Sequence, residues 1–409
     1  MDVSRILKSV DGMKGEIVDT LSDLCKVPAI CPEHEGEGEG EKFELLVDIL
    51  DDFGFPKGKD YTSKDKRVPG GKRHNIIVKL KGSGSQRGRV WIVSHMDVVP
   101  PGEPSLWKTD PYKPVMKGGK LFGRGVEDNG QAVIASMFAT KALLDAGAKP
   151  KRDVMLAFVS DEETGSRHGI QHIIAEGLVN KDDLVIVPDS GSPDGKQIEV
   201  VEKSHAQYKI VVEGKQCHAS RPHKGVNAYR ASAAYVTEVI DFLYKKYNQT
   251  DDLYIPPYST FEPTKKMANV PNANTIPGED ISFMDFRVMP TQDLESIVRD
   301  MRAIADKHSR LTGARFDIVP ANVSEAPPAT PVDCPIVKAL TNSIGEVLKV
   351  RPKPVGIGGG TCAAFFRRVG IPAAVWSTID EKAHEPNEFV QIKNLVGDTK
   401  VYTHLFLTA

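Results

Sequence analysis

Trp91-Ile92-Val93-Ser94-His95-Met96-Asp97-Val98-Val99-Pro100 is the stretch that decides how this chain folds. Residues 90–93 are apolar and largely β-branched, which reads as a buried strand. The strand runs into Ser94, His95, Met96 and Asp97 and stops at Pro100-Pro101, where ladder hydrogen bonds can no longer be donated. A His and an Asp therefore stand at the carboxyl end of a core strand. In open α/β sheets, ligands bind along that edge. One reading makes His95 a metal ligand with Asp97 orienting it from behind. The other is a loop His beside a turn-forming Asp.

Two further strands end in the same manner. Residues 153–159 read as a strand that is apolar after Asp153, and they lead into Ser160-Asp161-Glu162-Glu163-Thr164-Gly165. Three adjacent carboxylates repel one another unless a cation or a proton offsets them; a solvated acidic turn is the bland alternative. Residues 184–187 are apolar and lead into Pro188-Asp189-Ser190-Gly191. Gly123-Arg124-Gly125-Val126-Glu127-Asp128-Asn129-Gly130 precedes a long helix at 131–145, and there Asp128 could equally serve as a cap. Three strands closing in carboxylates or His argue for one site along one sheet edge.

Bulk properties narrow the function classes. With 409 residues, two domains are expected. There are 53 basic and 55 acidic side chains, a net charge of −2, and no basic face, which disfavours nucleic-acid binding. No apolar run approaches the roughly 18 residues of a membrane span, and residues 1–14 lack the apolar core of a signal peptide. The five cysteines (Cys25, Cys31, Cys217, Cys334, Cys362) are scattered and include no Cys-x-x-Cys. A disulfide framework and a thiolate zinc site are not suggested, and a reducing cytoplasm is the expected location.

The remaining chain fits an α/β frame. Helical spacing is expected at 2–27, 43–53, 131–145, 228–247, 293–311, 335–348 and 392–406, and strands at 75–80 and 89–93. Residues 33–41 alternate Glu and Gly and read as a solvated acidic loop or a loop near an active-site mouth. From about residue 205 the texture changes to strand, helix, strand, helix, strand, which suggests a small inserted α/β sandwich. Pro-rich residues 326–331 mark the return to the first domain.

His95, Asp128, Glu163, Asp189 and His384 form an imidazole and carboxylate set suited to zinc, cobalt or manganese. Five ligands exceed the usual three of a catalytic zinc. A pair of ions about 3.5–4 Å apart, sharing a carboxylate and holding a hydroxide between them, fits better. Glu162 would then be the general base that takes the proton from water and passes it to the leaving amine.

On these residues the chain resembles the M20 family of metallopeptidases and amidohydrolases, which includes acetylornithine deacetylase, succinyl-diaminopimelate desuccinylase, carboxypeptidase G2 and carnosinase-like dipeptidases. The matching pieces are Ser94-His95-Met96-Asp97, 123–128, Asp161-Glu162-Glu163, Asp189, His218-Ala219-Ser220, Gly225-Val226-Asn227-Ala228, Asn274-Thr275-Ile276-Pro277-Gly278 and His384-Glu385-Pro386-Asn387-Glu388. They occur in the family's order and span nearly the whole chain.

The resemblance implies a zinc-exopeptidase-like catalytic domain, with a mixed central sheet flanked by helices, at about 1–203 and 324–409. It implies a ferredoxin-like α+β lid and dimerisation domain at about 204–323, and a homodimer through it. His95 and Asp189 would hold one ion, Glu163 and His384 the other, with Asp128 bridging. Asp97 would orient His95, and His218 would reach the partner subunit's site to stabilise the developing oxyanion. Arg287, with Asn274 nearby, would bind a substrate carboxylate, a planar task that suits Arg; a strand-face ion pair with Asp285 is the other reading. Gly358-Gly359-Gly360-Thr361 matches a substrate loop whose amides favour an anion; a plain helix-entry turn is the alternative. The cofactors would be two divalent cations, zinc first, then cobalt or manganese. The reaction would be amide hydrolysis in an N-acyl amino acid, with an exopeptidase or dipeptidase, and then a non-catalytic binding protein, as alternatives. Two departures weaken transfer of a particular substrate. Cys362-Ala363-Ala364 stands where many members carry Asp and Arg, and Asn129-Gly130-Gln131 follows Asp128 where many carry Lys.

Overall fold

Near-continuous apolar runs such as 90–93 and 154–159 need cover on both faces, the signature of a parallel sheet packed between helices. The computed structural model of the chain, which describes residues 2–409, builds them into an eight-stranded mixed sheet. Its order is Lys59–Asp60, Ile76–Leu80, Asp153–Val159, Arg89–His95, Leu184–Val187, Ala373–Val375, Gln197–Glu202, Lys353–Ile357. Arg89–His95 runs parallel to both neighbours, with His95 opposite Val159 and Ile92 opposite Ile186. Ala373–Val375 continues in parallel beside Leu184–Val187. Four adjacent strands therefore share one carboxyl edge, and the residues after His95, Val159 and Val187 emerge side by side along it.

One face of this sheet presents Trp91, Val93, Ala157, Val159, Val185 and Val187 to Ile170, Ile173 and Phe366 on two short helices. The helix Gly130–Asp145 packs against Arg89–His95 and Asp153–Val159. Its residues from Gln131 to Thr140 are all buried, because the helices Lys14–Cys25 and Ile392–Thr408 also pack on it. The expected N-terminal helix is two, Val3–Gly12 and Lys14–Cys25, meeting at Met13. The expected acidic loop is exposed at Glu33, Glu35 and Glu37, but its end differs: the helix Gly40–Asp52 begins within it, and Glu39 is only 2% exposed. Among the described residues no helix is long and apolar enough to cross a membrane.

The chain divides into two compact units. The first comprises the chain up to Val200, Pro328–Pro354 and Thr361–Ala409; the second comprises Val201–Pro327 and Val355–Gly360. In the second, Ser204–Glu213, Thr260–Lys266, Glu279–Val288 and Arg315–Ser324 form a four-stranded antiparallel sheet. Taken with the helices Ala228–Lys246 and Leu294–Thr312, the chain order is βαββαβ, the ferredoxin-like arrangement. Alternate residues of Ser204–Glu213 (Ala206, Tyr208, Ile210, Val212) join Tyr235, Phe261, Phe286, Ile297 and Met301 in one core. Thr260–Lys266 escapes the sequence reading because it is mostly polar and contains Pro263. Proline is tolerated there because the strand lies at the sheet edge, where the register shifts beside it.

Candidate metal and catalytic site

The site assembles in the first unit where the parallel strands end. His95 closes its strand; the Asp161–Glu163 turn and Asp189 follow theirs. Asp128 comes from the turn before the helix Gly130–Asp145. It is not a cap: Asn129 occupies that position, and the Asp128–Asn129 peptide bond is cis. His384, the most distant in sequence, is delivered by a small sheet in which Phe389–Gln391 pairs with Lys120–Phe122. The loop that carries it donates the Asp380 and Lys382 N–H groups to the buried Glu127 carboxylate.

The five proposed ligands converge. His95 Nε2 lies 3.0 Å from Asp128 Oδ1 and 3.5 Å from Asp189 Oδ1. His384 Nε2 lies 3.3 Å from Asp128 Oδ2 and 3.1 Å from Glu163 Oε2. The two oxygens of Asp128 thus face different histidines. One imidazole nitrogen carries at most one proton and cannot donate well to two carboxylates. Tetrahedral coordination with bonds of about 2.0–2.2 Å separates neighbouring donors by roughly 3.3–3.6 Å, which is close to these spacings. Glu163 Oε1 is buried without a hydrogen-bond partner among the described residues. Both the donor chemistry and this orphaned oxygen fit divalent cations.

Electrostatics point the same way. Burial, then the neighbouring Asp189, pushes the Glu162 carboxyl well above its usual range. Burial pushes Glu163 up to about 7 against the downward pull of His384. Burial opposes the charged form of His95, yet Asp128, Asp189 and Asp97 hold its pKa well above the usual value. A carboxylate cluster of this density is costly without added positive charge. Glu162 belongs to a compact group with His95 and Asp189, and its Oε1 is 3.9 Å from the thiol of Cys362.

Asp97 does more than the sequence suggests. His95 Nδ1 is 2.9 Å from the Asp97 main-chain carbonyl and 3.5 Å from its carboxylate. The carboxylate itself accepts the N–H groups of Glu162 at 3.0 Å and Glu163 at 2.9 Å. Asn129, a departure from the family pattern, ties strand ends together: its amide donates to the Pro188 carbonyl and to Asp189 Oδ1, and its oxygen accepts the His95 N–H. Glu388, four residues after His384, is fully buried. It accepts from Arg124 and from the N–H groups of Gly125, Glu127 and Asp128. The polar stretch His384-Glu385-Pro386-Asn387-Glu388 carries no periodic signal for that contact.

The other expected residues, apart from Thr361, lie in the second unit. His218 sits on the short strand Cys217–His218, paired with Thr275, beside Asn274. His218 Nδ1 accepts from the Ser220 N–H at 3.1 Å, so its proton belongs on Nε2, which is left as a donor. Arg287 makes the strand-face ion pair, with Nε 2.7 Å from Asp285 Oδ1, and also donates to the Gly358 carbonyl at 2.9 Å. Side chains at Gly359 or Gly360 would meet only ordinary contacts, so crowding does not impose glycine there. Thr361 accepts the Ala363 N–H at the start of a short helix.

The profile of peptidase family M20/M25/M40 matches residues 91–408. An uncharacterized metallohydrolase of Methanocaldococcus jannaschii is 36% identical over 408 residues, covering 95% of this chain and 98% of that protein. Succinyl-diaminopimelate desuccinylase of Rickettsia rickettsii is 22% identical over 396 residues, covering 95% and 99%. In fold, human carnosine dipeptidase 1 superposes with a TM-score of 0.77 at 17% identity, covering 99% and 98% of the two chains. An M20 metallo-carboxypeptidase of Sulfolobus solfataricus gives 0.72 at 21% identity, covering 96% and 98%. The sequence match and the donor set define a hydrolase of amide or peptide bonds that works with divalent metal ions. The chain belongs to peptidase family M20/M25/M40.

Proposed function

We propose that the protein hydrolyses the amide bond of an N-acyl amino acid, of the deacetylase or desuccinylase type, with two divalent cations per subunit. The observation that carries the reading is Asp128, whose two carboxylate oxygens each meet a different histidine. His95 and Asp189 would hold one cation, Glu163 and His384 the other, and Asp128 both. Zinc is the first candidate for this nitrogen and oxygen set, cobalt or manganese the next. Bound cations would lower the pKa of water and polarise the amide carbonyl.

The chain's own residues do the rest. Glu162 takes the proton from the attacking water and returns it to the leaving amine. His218 Nε2–H donates to the developing oxyanion, in a homodimer built through the second unit. Arg287 has five N–H groups and commits three to Asp285 and Gly358, which leaves two for a substrate carboxylate. Asn274 and the 359–361 segment complete the substrate contacts. Five free cysteines suit a reducing, cytoplasmic setting.

A dipeptidase or other exopeptidase is the second reading, since the same machinery cleaves a peptide bond and the fold is shared with dipeptidases. The test is a panel of N-acetyl and N-succinyl amino acids and dipeptides, combined with metal analysis. Turnover of acylated substrates, about two metal equivalents per chain and recovery of a chelated sample on adding zinc or cobalt are expected. Turnover of dipeptides alone would replace the deacylase reading; a single metal equivalent in fully active protein would remove the bridging role of Asp128.

A further inference from the structure

Behind the site lies a second cluster of buried polar groups that the mechanism leaves unused. Arg73, only 1% exposed, donates through Nε to Glu39 Oε2 at 2.7 Å and through Nη2 to Glu39 Oε1. The same Nη2 lies 3.2 Å from the thiol sulfur of Cys31, and Nη1 is 3.5 Å from Asp65 Oδ2. Cys31, fully buried, donates its S–H to Asp97 Oδ2 at 3.3 Å. Cys31, Glu39 and Asp97 are close enough together to resemble a metal site. The guanidinium of Arg73 already sits against Glu39 and Cys31, so the positive charge is supplied by the protein.

Two short routes lead from this cluster to the acidic turn. Glu39 Oε1 accepts the main-chain N–H of Asp161 at 3.1 Å. Asp97 accepts the N–H groups of Glu162 and Glu163. Three consecutive main-chain donors are therefore held by two buried carboxylates, and both carboxylates are held by the Arg73 and Cys31 pair. Asp161 turns the chain with φ of 67°, a left-handed conformation that Asp adopts more readily than most residues when its carboxylate bonds locally. Its own carboxylate is tied to the Thr164 hydroxyl and the His168 N–H. The direction in which Glu162 and Glu163 leave the turn is thus set from behind.

We propose that Arg73, Glu39 and Cys31 form a positioning unit that aims Glu162 and Glu163 through Asp97 and Asp161. The proposal rests on the roles given above to those two glutamates. None of the three residues touches the reacting atoms, so their effect is on metal affinity and on kcat, with KM little changed. Cys31 supplies the sharpest contrast, because Ser keeps both a donor for Asp97 and an acceptor for Arg73, whereas Ala keeps neither.

The experiment compares wild type, Cys31→Ala, Cys31→Ser and Arg73→Met for cobalt affinity by competition with a chromogenic chelator, for kcat and KM, and for Tm. Loss of an outer partner of a metal ligand costs roughly 10–100-fold in affinity or activity, and Cys31→Ala is expected at the lower end with KM within about twofold of wild type. Cys31→Ser is expected to recover most of that loss. Arg73→Met is expected at the upper end; if it does not fold, the cysteine pair still decides. Unchanged cobalt affinity and kcat in Cys31→Ala, or a Ser variant as impaired as Ala, overturns the proposal. Should wild type bind cobalt yet cleave no amide, the deacylase reading fails separately, and cobalt affinity alone still judges the positioning unit.

Discussion

Glu162→Gln is expected to lower kcat by roughly 10²–10⁴-fold while metal content and KM stay near wild type. The substitution preserves shape and hydrogen-bonding reach but removes the only proposed proton carrier. Glu162 is not among the five ligands, so cation binding has no reason to fall. Its main-chain N–H remains bonded to Asp97, and the turn keeps its form. Steady-state kinetics with metal analysis on the same preparation check the result. A Gln variant that turns over as fast as the parent removes the acid/base role. A variant that loses its metal together with its activity would instead make Glu162 a ligand.

Glu388→Ala is expected to cost about 3–5 kcal/mol, the usual penalty for breaking a buried ion pair and leaving one partner charged. Arg124 is nearly as buried as Glu388 and would lose its 2.7 Å contact. The N–H groups of Gly125, Glu127 and Asp128 would lose their acceptor at the same time. Gly125 cannot compensate, since its φ of 81° already defines the turn. A fall in Tm of roughly 4–8 °C follows for metal-free protein. Activity should fall as well, because Asp128 would no longer be held between the two histidines. Glu388→Gln keeps an acceptor for some of the amides and should lose less. Calorimetry on chelated samples separates this effect from metal stabilisation. An Ala variant melting within a degree or two of wild type would show that the contacts carry little energy.

Much of this architecture is legible in local pattern. The strand Asp153–Val159 and the helix Pro335–Leu348 have the bounds that apolar periodicity and a leading proline suggest. The residues after three apolar runs are correctly read as sharing one edge, because strands buried on both faces imply parallel neighbours. What fails locally fails for identifiable reasons. Thr260–Lys266 is an edge strand with little apolar content and a proline. Glu39 looks like one more solvated carboxylate in an acidic run, but its partner Arg73 is 34 positions away. Glu388 shows no periodic signal, and its contact with Gly125 spans 263 positions.

By itself the sequence determined the types of element, the layered α/β class and the chemical identities of the side chains offered for metal binding and proton transfer. These follow from periodicity and from donor chemistry, which are properties of neighbouring residues. Only the tertiary structure decided that the oxygens of Asp128 face two different histidines, that Asp97 grips the Glu162 and Glu163 amides, and that Arg73 and Glu388 brace the site from behind. Those contacts are fixed by sheet order and strand register, which bring remote segments within hydrogen-bonding distance and leave no trace in local composition.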